Sequence, residues 1–277
     1  MHTRRAARPR PRQFSRHVAT VLTVSLLVPL LTFGSARPAP TSAASCPNIE
    51  MLDVLGAEKQ ERFCLGDLTT AGLMPDVQTD PRDWAGLHAK DTRNPSGVPG
   101  VQINGYFRDD STSNPQHGWN HDSQFVIRLP STWNGKLVIT GAPGVRRQYA
   151  NDVVISDWVL ARGYAYASTD KGNGGATFFK DGDEPGDAFA EWHRRVTELT
   201  IAAKSTVQQH YGVDPVRTYL AGVSNGGYLV RWALENRPEL YDGGVDWEGT
   251  LFRQDDYTLV SANSGDGEGR RWLVRSA

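Results

Sequence analysis

The sequence predicts an α/β architecture, a mostly parallel sheet with helices on both faces, from three observations. From His121 onward, short β-rich runs alternate with segments of helical spacing. Those β-rich runs are closed by turn residues. A G-x-S-x-G pattern, Gly222-Val223-Ser224-Asn225-Gly226, stands between an apolar run and a helical one. From Cys46 to about Gly118, Pro, Gly, Asn and Asp punctuate runs such as VQINGYF, which predicts a strand-rich N-terminal segment of edge strands or hairpins. The expected organisation is a leader over 1–44, a strand-rich segment over 45–120, an α/β core over 121–251 and a polar tail over 252–277.

Within the core, SQFVIRLP and GKLVITGAPG read as strands. VVISDWVLARG has the spacing of a helix, and YAYAST is another short strand. In DAFAEWHRRVTELTIAAKSTVQQHYG, Phe189, Trp192, Val196, Leu199, Ala203 and Val207 fall on one helical face, Glu191 and Arg195 form an i,i+4 pair, and Gly212 supplies the stop. RTYLAGVS is a strand running into the serine turn. NGGYLVRWALENRPEL is a helix stopped near Pro238, and GGVDWEG begins one more strand.

The glycines of the serine pattern have a physical role. Projecting a serine from a sharp strand-to-helix turn needs a strained backbone, and side chains two residues to either side would collide there. Gly222 and Gly226 carry none, so Ser224 is the candidate nucleophile, expected in a cleft bordered by Gly141–Gly144. The N–H of Asn225, at the start of a helix, is aimed where a substrate carbonyl gains negative charge, and the helix dipole assists it. A second oxyanion donor is expected from the loop after an earlier strand. Pro143 has no N–H, so Ala142, Gly144 or Val145 takes that role.

A nucleophilic serine needs a base, which after this kind of turn is a later histidine. The seven histidines stand at 2, 17, 88, 117, 121, 193 and 210, all before Ser224. His193 and His210 belong to a helix expected to pack on the sheet rather than over the site. Asp246 and Glu248 offer an acid but have no imidazole to orient. Asp170 and Lys171, at a strand end, either line the site or form an exposed salt-bridged turn. Asp181, Asp183, Glu184 and Asp187 have the composition of a calcium loop without its spacing, and Asp187 suits a helix N-cap. His117, His121 and Asp122 lie among Pro115, Gly118 and Asn120, a loop rather than a metal-binding helix. No metal and no cofactor are expected.

The leader has six arginines between Arg4 and Arg16, an uncharged run of 16 residues from Val18 to Phe33 interrupted by Pro29, and the small-residue stretch TSAAS. That pattern predicts export with cleavage after Ala44, by the general or the twin-arginine route. Residues 1–44 hold seven arginines and no acid, which leaves 23 basic against 31 acidic residues, a net charge of −8. Such a charge disfavours nucleic acid or an anionic membrane as a partner. In an oxidising compartment Cys46 and Cys64, the only cysteines, are expected to pair.

On STDKGNGG, GVSNGGY and GGVDWEG, the sequence over about residues 121–251 resembles secreted esterases of the α/β-hydrolase fold, in particular the 3-hydroxybutyrate oligomer hydrolases and, more distantly, the tannase/feruloyl esterases. The resemblance implies a serine ester hydrolase that works through an acyl-enzyme without a cofactor. Ser224 would be its nucleophile, and oligomeric hydroxyacid (polyhydroxybutyrate-type) or related carboxylic esters its substrates. Tannase-type enzymes carry a cysteine just before the serine, where this chain has Val223. By the same comparison the hydrolase fold is incomplete at the C-terminus, because the family's catalytic acid and base lie on further strands and helices. The expectation is an impaired or inactive enzyme prone to aggregate along the strand that begins at Gly243. A non-catalytic remnant or binding module is the alternative, and a metal-dependent hydrolase using His117 and His121 a third.

Overall fold

In the computed structural model the described residues are 46–73, 79–108, 119, 123–172, 188–253 and 273–275; the leader expected over 1–44 lies outside them. Strand β2 (Gly100–Phe107) pairs antiparallel with both β1 (Ala57–Leu65) and β3 (Gln124–Pro130). The short link 131–135 reverses the chain into β4 (Lys136–Gly141), which is followed by β5 (Ala165–Thr169), β6 (Arg217–Val223) and β7 (Gly243–Trp247). The sheet order is β1-β2-β3-β5-β4-β6-β7. β4 pairs in parallel with both β5 and β6, and β6 with β7, whereas β5 runs against β3. A separate antiparallel pair joins β8 (Leu251–Arg253) to β9 (Leu273–Arg275). Parallel pairing is confined to the half whose strands are joined by helical crossovers, because a short link can only reverse the chain.

Alternation along the strands sorts the core into two layers. Phe125, Ile127 and Leu129 of β3, Leu137 and Ile139 of β4, Ala165 and Ala167 of β5, and Leu220 of β6 face one side. There they meet α2 (Ala188–Tyr211) and α3 (Asn225–Asn236). The expected face of α2 is realised: Trp192, Val196, Leu199, Ala203 and Val207 are fully buried, and Phe189 packs against them. Gly212, at φ 77°, follows the end of this helix. The intervening strand residues Val126, Val138 and Tyr166 point to the opposite face and pack on Tyr149, Ile155 and Leu160.

The segment read as a helix at VVISDWVLARG is shorter and differently wound. One π turn, Asp152–Ser156, leads into a single α turn, α1 (Asp157–Leu160). The wider turn brings Asp152 and Ser156 together on Arg128, an arginine in the middle of β3 that is wholly buried. Arg128 binds both Asp152 oxygens, at 2.6 and 2.8 Å, and donates to Gln102 Oε1 at 2.7 Å. Thr79 donates to the same carboxylate at 2.7 Å. A tether from β3 thus sets the winding of a segment in which three consecutive β-branched residues, Val153, Val154 and Ile155, have weak helix propensity.

Cys46 and Cys64 are bonded, with their Cα atoms 5.8 Å apart and a sequence separation of 18. The bond ties the entry of the chain to β1, whose cysteine pairs with Val101 of β2. Replacing both cysteines by serine is expected to cost about 3 kcal/mol on the chain-entropy estimate for so short a loop. Urea unfolding of the two forms at equal pH measures that difference.

Candidate active site

The sheet order places a crevice before any side chain is considered. From β4 the chain crosses to β5 on one side, then returns past β4 to β6 on the other, so the strand order reverses at β4. In open α/β sheets, ligands bind at such a reversal, outside the carboxyl ends of the strands. Those ends are Gly141, Thr169 and Val223, and Ser224 follows directly on the last.

Ser224 has φ 57° and ψ −119°, a backbone that L-residues rarely adopt, at the junction of β6 and α3. It is half-buried. Its N–H donates to Trp247 O at 3.1 Å, and its carbonyl accepts from Tyr228 N at 3.1 Å and Thr250 N at 3.2 Å. The turn closes only because its flanks are glycines. A Cβ on Gly222 would overlap the Gly226 carbonyl, and one on Gly226 would overlap the Gly141 carbonyl. The second contact brings the serine turn directly against the end of β4.

A further pair of glycines, not singled out from sequence, backs the turn. Cβ atoms on Gly227 or Gly249 would run into Asp246, whose carboxylate is paired with Arg231 of α3. Asp246 is thereby a strut holding the loop after β7 onto α3, and Glu248 is exposed at φ 50° in that loop. Thr250 completes the contact by donating to Asn225 Oδ1 at 3.1 Å. Asn225 opens a helix of 12 residues, so its own N–H has no acceptor within the helix.

Of the three expected donors in the loop after β4, Ala142 is otherwise engaged: its N–H donates to Thr169 O at 2.9 Å. Peptide pairing that extends β4 towards β5 takes this amide, which could not be read from a string without strand order. Gly144, at φ 54°, has left the strand path, and its carbonyl accepts from Lys171 at 2.9 Å. The loop is held from several sides. Asn151 Nδ2 donates to Gly141 O at 3.0 Å, and the Asp83 carboxylate accepts from Arg147 N at 3.1 Å and Tyr149 N at 3.3 Å.

Lys171 is fully buried, which excludes the exposed salt-bridged turn. Its ammonium lies on the carbonyls of Ala142 and Gly144 and 5.2 Å from the centre of the Trp192 ring. Burial, partly offset by the charges of Asp170 and Asp83, pulls its pKa down from the usual lysine range to about 7. Asp170 accepts from Gln124 N at 3.0 Å and Gly172 N at 2.8 Å.

Among the described residues no imidazole is hydrogen-bonded to Ser224. His193 shares a 2.9 Å hydrogen bond with the Tyr228 hydroxyl and stacks on Trp232 at 3.8 Å. His210 lies edge-on to Tyr211 at the far end of α2. His117, His121, Asp122 and the acidic run Asp181–Asp187 lie outside the described residues. Within them, no group of three or more His, Cys, Asp or Glu is placed to hold a metal, and no helix is long and apolar enough to cross a membrane. Three surface cavities of about 440, 470 and 490 Å³ are lined by other residues than Ser224.

Two solved structures from Aspergillus oryzae, feruloyl esterase B and an esterase, each superpose with a TM-score of 0.51 at 15% and 18% identity. They match 75% and 74% of this chain. The fold is that of the α/β-hydrolases. Residues 110–247 match the family model described as tannase and feruloyl esterase, a segment of this chain that contains β3 to β7 and the serine turn. Two curated relatives are a mono(2-hydroxyethyl) terephthalate hydrolase of Piscinibacter sakaiensis, 25% identical over 141 residues, and an uncharacterized esterase of Agrobacterium fabrum, 29% identical over 135 residues. The chain spans 23% and 24% of the length of these relatives, and 37% of each Aspergillus structure. The matched parts are 46% and 44% of this chain.

Proposed function

We propose that the chain carries the nucleophile of a secreted serine ester hydrolase. The observation that carries this reading is the Ser224 backbone, a strained conformation held at a strand-to-helix junction by glycines on both sides. In the proposed step Ser224 Oγ adds to the ester carbonyl carbon and gives up its proton to water, and the departing alkoxide takes up a proton from water. The amides of Asn225 and of the Gly144–Val145 part of the loop are the proposed donors to the oxyanion, and the bond to the alcohol breaks to leave an acyl-enzyme, which water then hydrolyses. Two relatives are named for aromatic acid esters, terephthalate and ferulate, and this supports aromatic esters as one substrate class beside 3-hydroxybutyrate oligomers. Secretion with removal of residues 1–44 is part of the proposal, supported by the Cys46–Cys64 disulfide, a bond typical of oxidising compartments. No partner beyond the ester substrate is invoked, neither nucleic acid nor membrane.

One observation favours a second reading, a non-catalytic remnant or binding module of the same fold: among the described residues no side chain is hydrogen-bonded to the Ser224 hydroxyl. On this second reading the rate is expected to stay within roughly 10³ to 10⁴-fold of water. The test is to treat the protein and Ser224→Ala with a fluorophosphonate and to assay both on short acyl esters. A single slow adduct on Ser224, absent from the variant, is the expected result. No adduct would remove Ser224 as nucleophile, and fast turnover abolished by Ser224→Ala would show that the chain supplies its own base. Protection from labelling by an aromatic acid or by a 3-hydroxybutyrate dimer ranks the two substrate classes.

A further inference from the structure

The loop that faces the serine turn has an unusual problem. Two of its carbonyls, those of Ala142 and Gly144, belong to the stretch expected to receive a developing oxyanion. A carbonyl oxygen directed at that point would repel it. Pro143 between them has no N–H with which to fix the stretch by its own hydrogen bonds. Both carbonyls are instead drawn to one buried ammonium, that of Lys171. Because a trans peptide sets its N–H opposite its C=O, holding the Gly144 carbonyl on Lys171 turns the Val145 N–H away from Lys171.

The placement of Lys171 is as constrained as its contacts. Its own backbone has φ 73°, and its stem lies against the end of β4: a Cβ on Gly141 would be 3.4 Å from Lys171 Cγ and Cδ and 2.9 Å from Leu229 of α3. The opposite side of Gly141, its carbonyl, touches Gly226 of the serine turn. Lys171 and the serine turn thus hold the same residue from two sides. The charged groups around the ammonium are Asp170 beside it, Asp83 from the N-terminal segment, and the Glu191–Arg195 pair of α2, which packs on Gly172. Trp192 of α2 supplies a ring face. Burying an ammonium is costly even beside carboxylates, and here two carbonyl acceptors offset part of that cost.

We propose that Lys171 is the positioning residue of the candidate site: it clamps the Ala142 and Gly144 carbonyls and so shapes the loop opposite Ser224 for an oxyanion. The inference rests on the reading of Ser224 as nucleophile and concerns how the same site is organised. The sign of the linkage is definite. A lysine whose folded pKa lies below its unfolded value of 10.5 is bound to fewer protons in the fold between about 7 and 10.5, so stability rises with pH over that window.

The test compares the full chain with Lys171→Met, which retains the stem and removes the charge and donors. Lys171→Met is expected to fold, to lose the rise in stability between pH 7 and 10, and to label with fluorophosphonate about tenfold or more slowly while its apparent affinity for the probe is unchanged. The deficit should be largest below pH 7 and narrow above it. Labelling of a folded Lys171→Met at the unaltered rate would overturn the proposal. Hydrogen exchange of residues 144–149 is the second readout and needs no activity: the clamp predicts faster exchange in Lys171→Met, and equal exchange would overturn it. Should neither protein label at Ser224, the nucleophile reading fails and exchange alone decides the clamp. Should Lys171→Met not fold, exchange in the unaltered chain serves. Protection of that segment, corrected for intrinsic rates, then has to fall as pH rises through 7, and flat protection would refute the clamp.

Discussion

Gly226→Ala is expected to destabilise the protein by about 3 kcal/mol and to abolish labelling of Ser224, although it adds a single methyl group. The added Cβ has nowhere to go, because it overlaps the backbone carbonyl of Gly141 rather than the end of a flexible side chain. Relief requires α3 to lift from the end of β4, and α3 carries Leu229, Val230 and Ala233 in the core. Gly222→Ala is expected to behave alike, since its Cβ meets the Gly226 carbonyl within the same turn. Gly66→Ala, where a Cβ meets nothing within 4 Å and φ is not positive, is the control and should change stability by less than about 0.5 kcal/mol. Urea unfolding with parallel fluorophosphonate labelling reads both effects. A Gly226→Ala protein of unaltered stability would mean that the serine turn is not packed on β4 as described.

Arg128→Met is expected to cost about 4 kcal/mol at neutral pH. Both members of the Arg128–Asp152 pair are fully buried, so removing the guanidinium leaves a carboxylate without its cation and Gln102 Oε1 without its donor. Burial already pushes the Asp152 carboxyl above its ordinary value of 3.8, with Arg128 opposing, and loss of Arg128 pushes it further. A carboxyl with a raised folded pKa favours the fold most below the unfolded value and loses that contribution as pH rises through the folded one. The deficit of Arg128→Met should therefore shrink as pH falls from 7 towards 4. Arg128→Met with Asp152→Leu should recover roughly half of the loss, since no buried charge is then left unpaired. Equal destabilisation at all pH values would show that Asp152 does not carry the effect.

The elements whose stability is local were legible in the string. Helix α2 could be placed because one face repeats at helical spacing and a glycine follows its end, and the core strands because their runs are β-rich and closed by turn residues. The serine turn is local too: Gly222, Ser224 and Gly226 lie within five residues, and the steric demand that links them acts along the chain. At VVISDWVLARG the spacing gave a helix but not its length or winding, because a distant partner set the geometry. The π turn at Asp152–Ser156 wraps on Arg128, which arrives from β3, and an arginine amid SQFVIRLP signals a buried carboxylate without saying which one.

Within the site the division is the same. Sequence alone determined the candidate nucleophile, the glycines that expose it, and the absence of any histidine after Ser224 in these 277 residues. Only the tertiary structure decided that Ala142 gives its N–H to Thr169, that Lys171 leaves solvent to hold two carbonyls of the facing loop, and that Asp246 is a strut on Arg231. Each of these contacts joins segments brought together by the order β5-β4-β6-β7, and in a sheet with crossovers that order is set by packing against helices rather than by neighbouring residues. A hydrogen bond across strands far apart in sequence therefore has no signature in either strand.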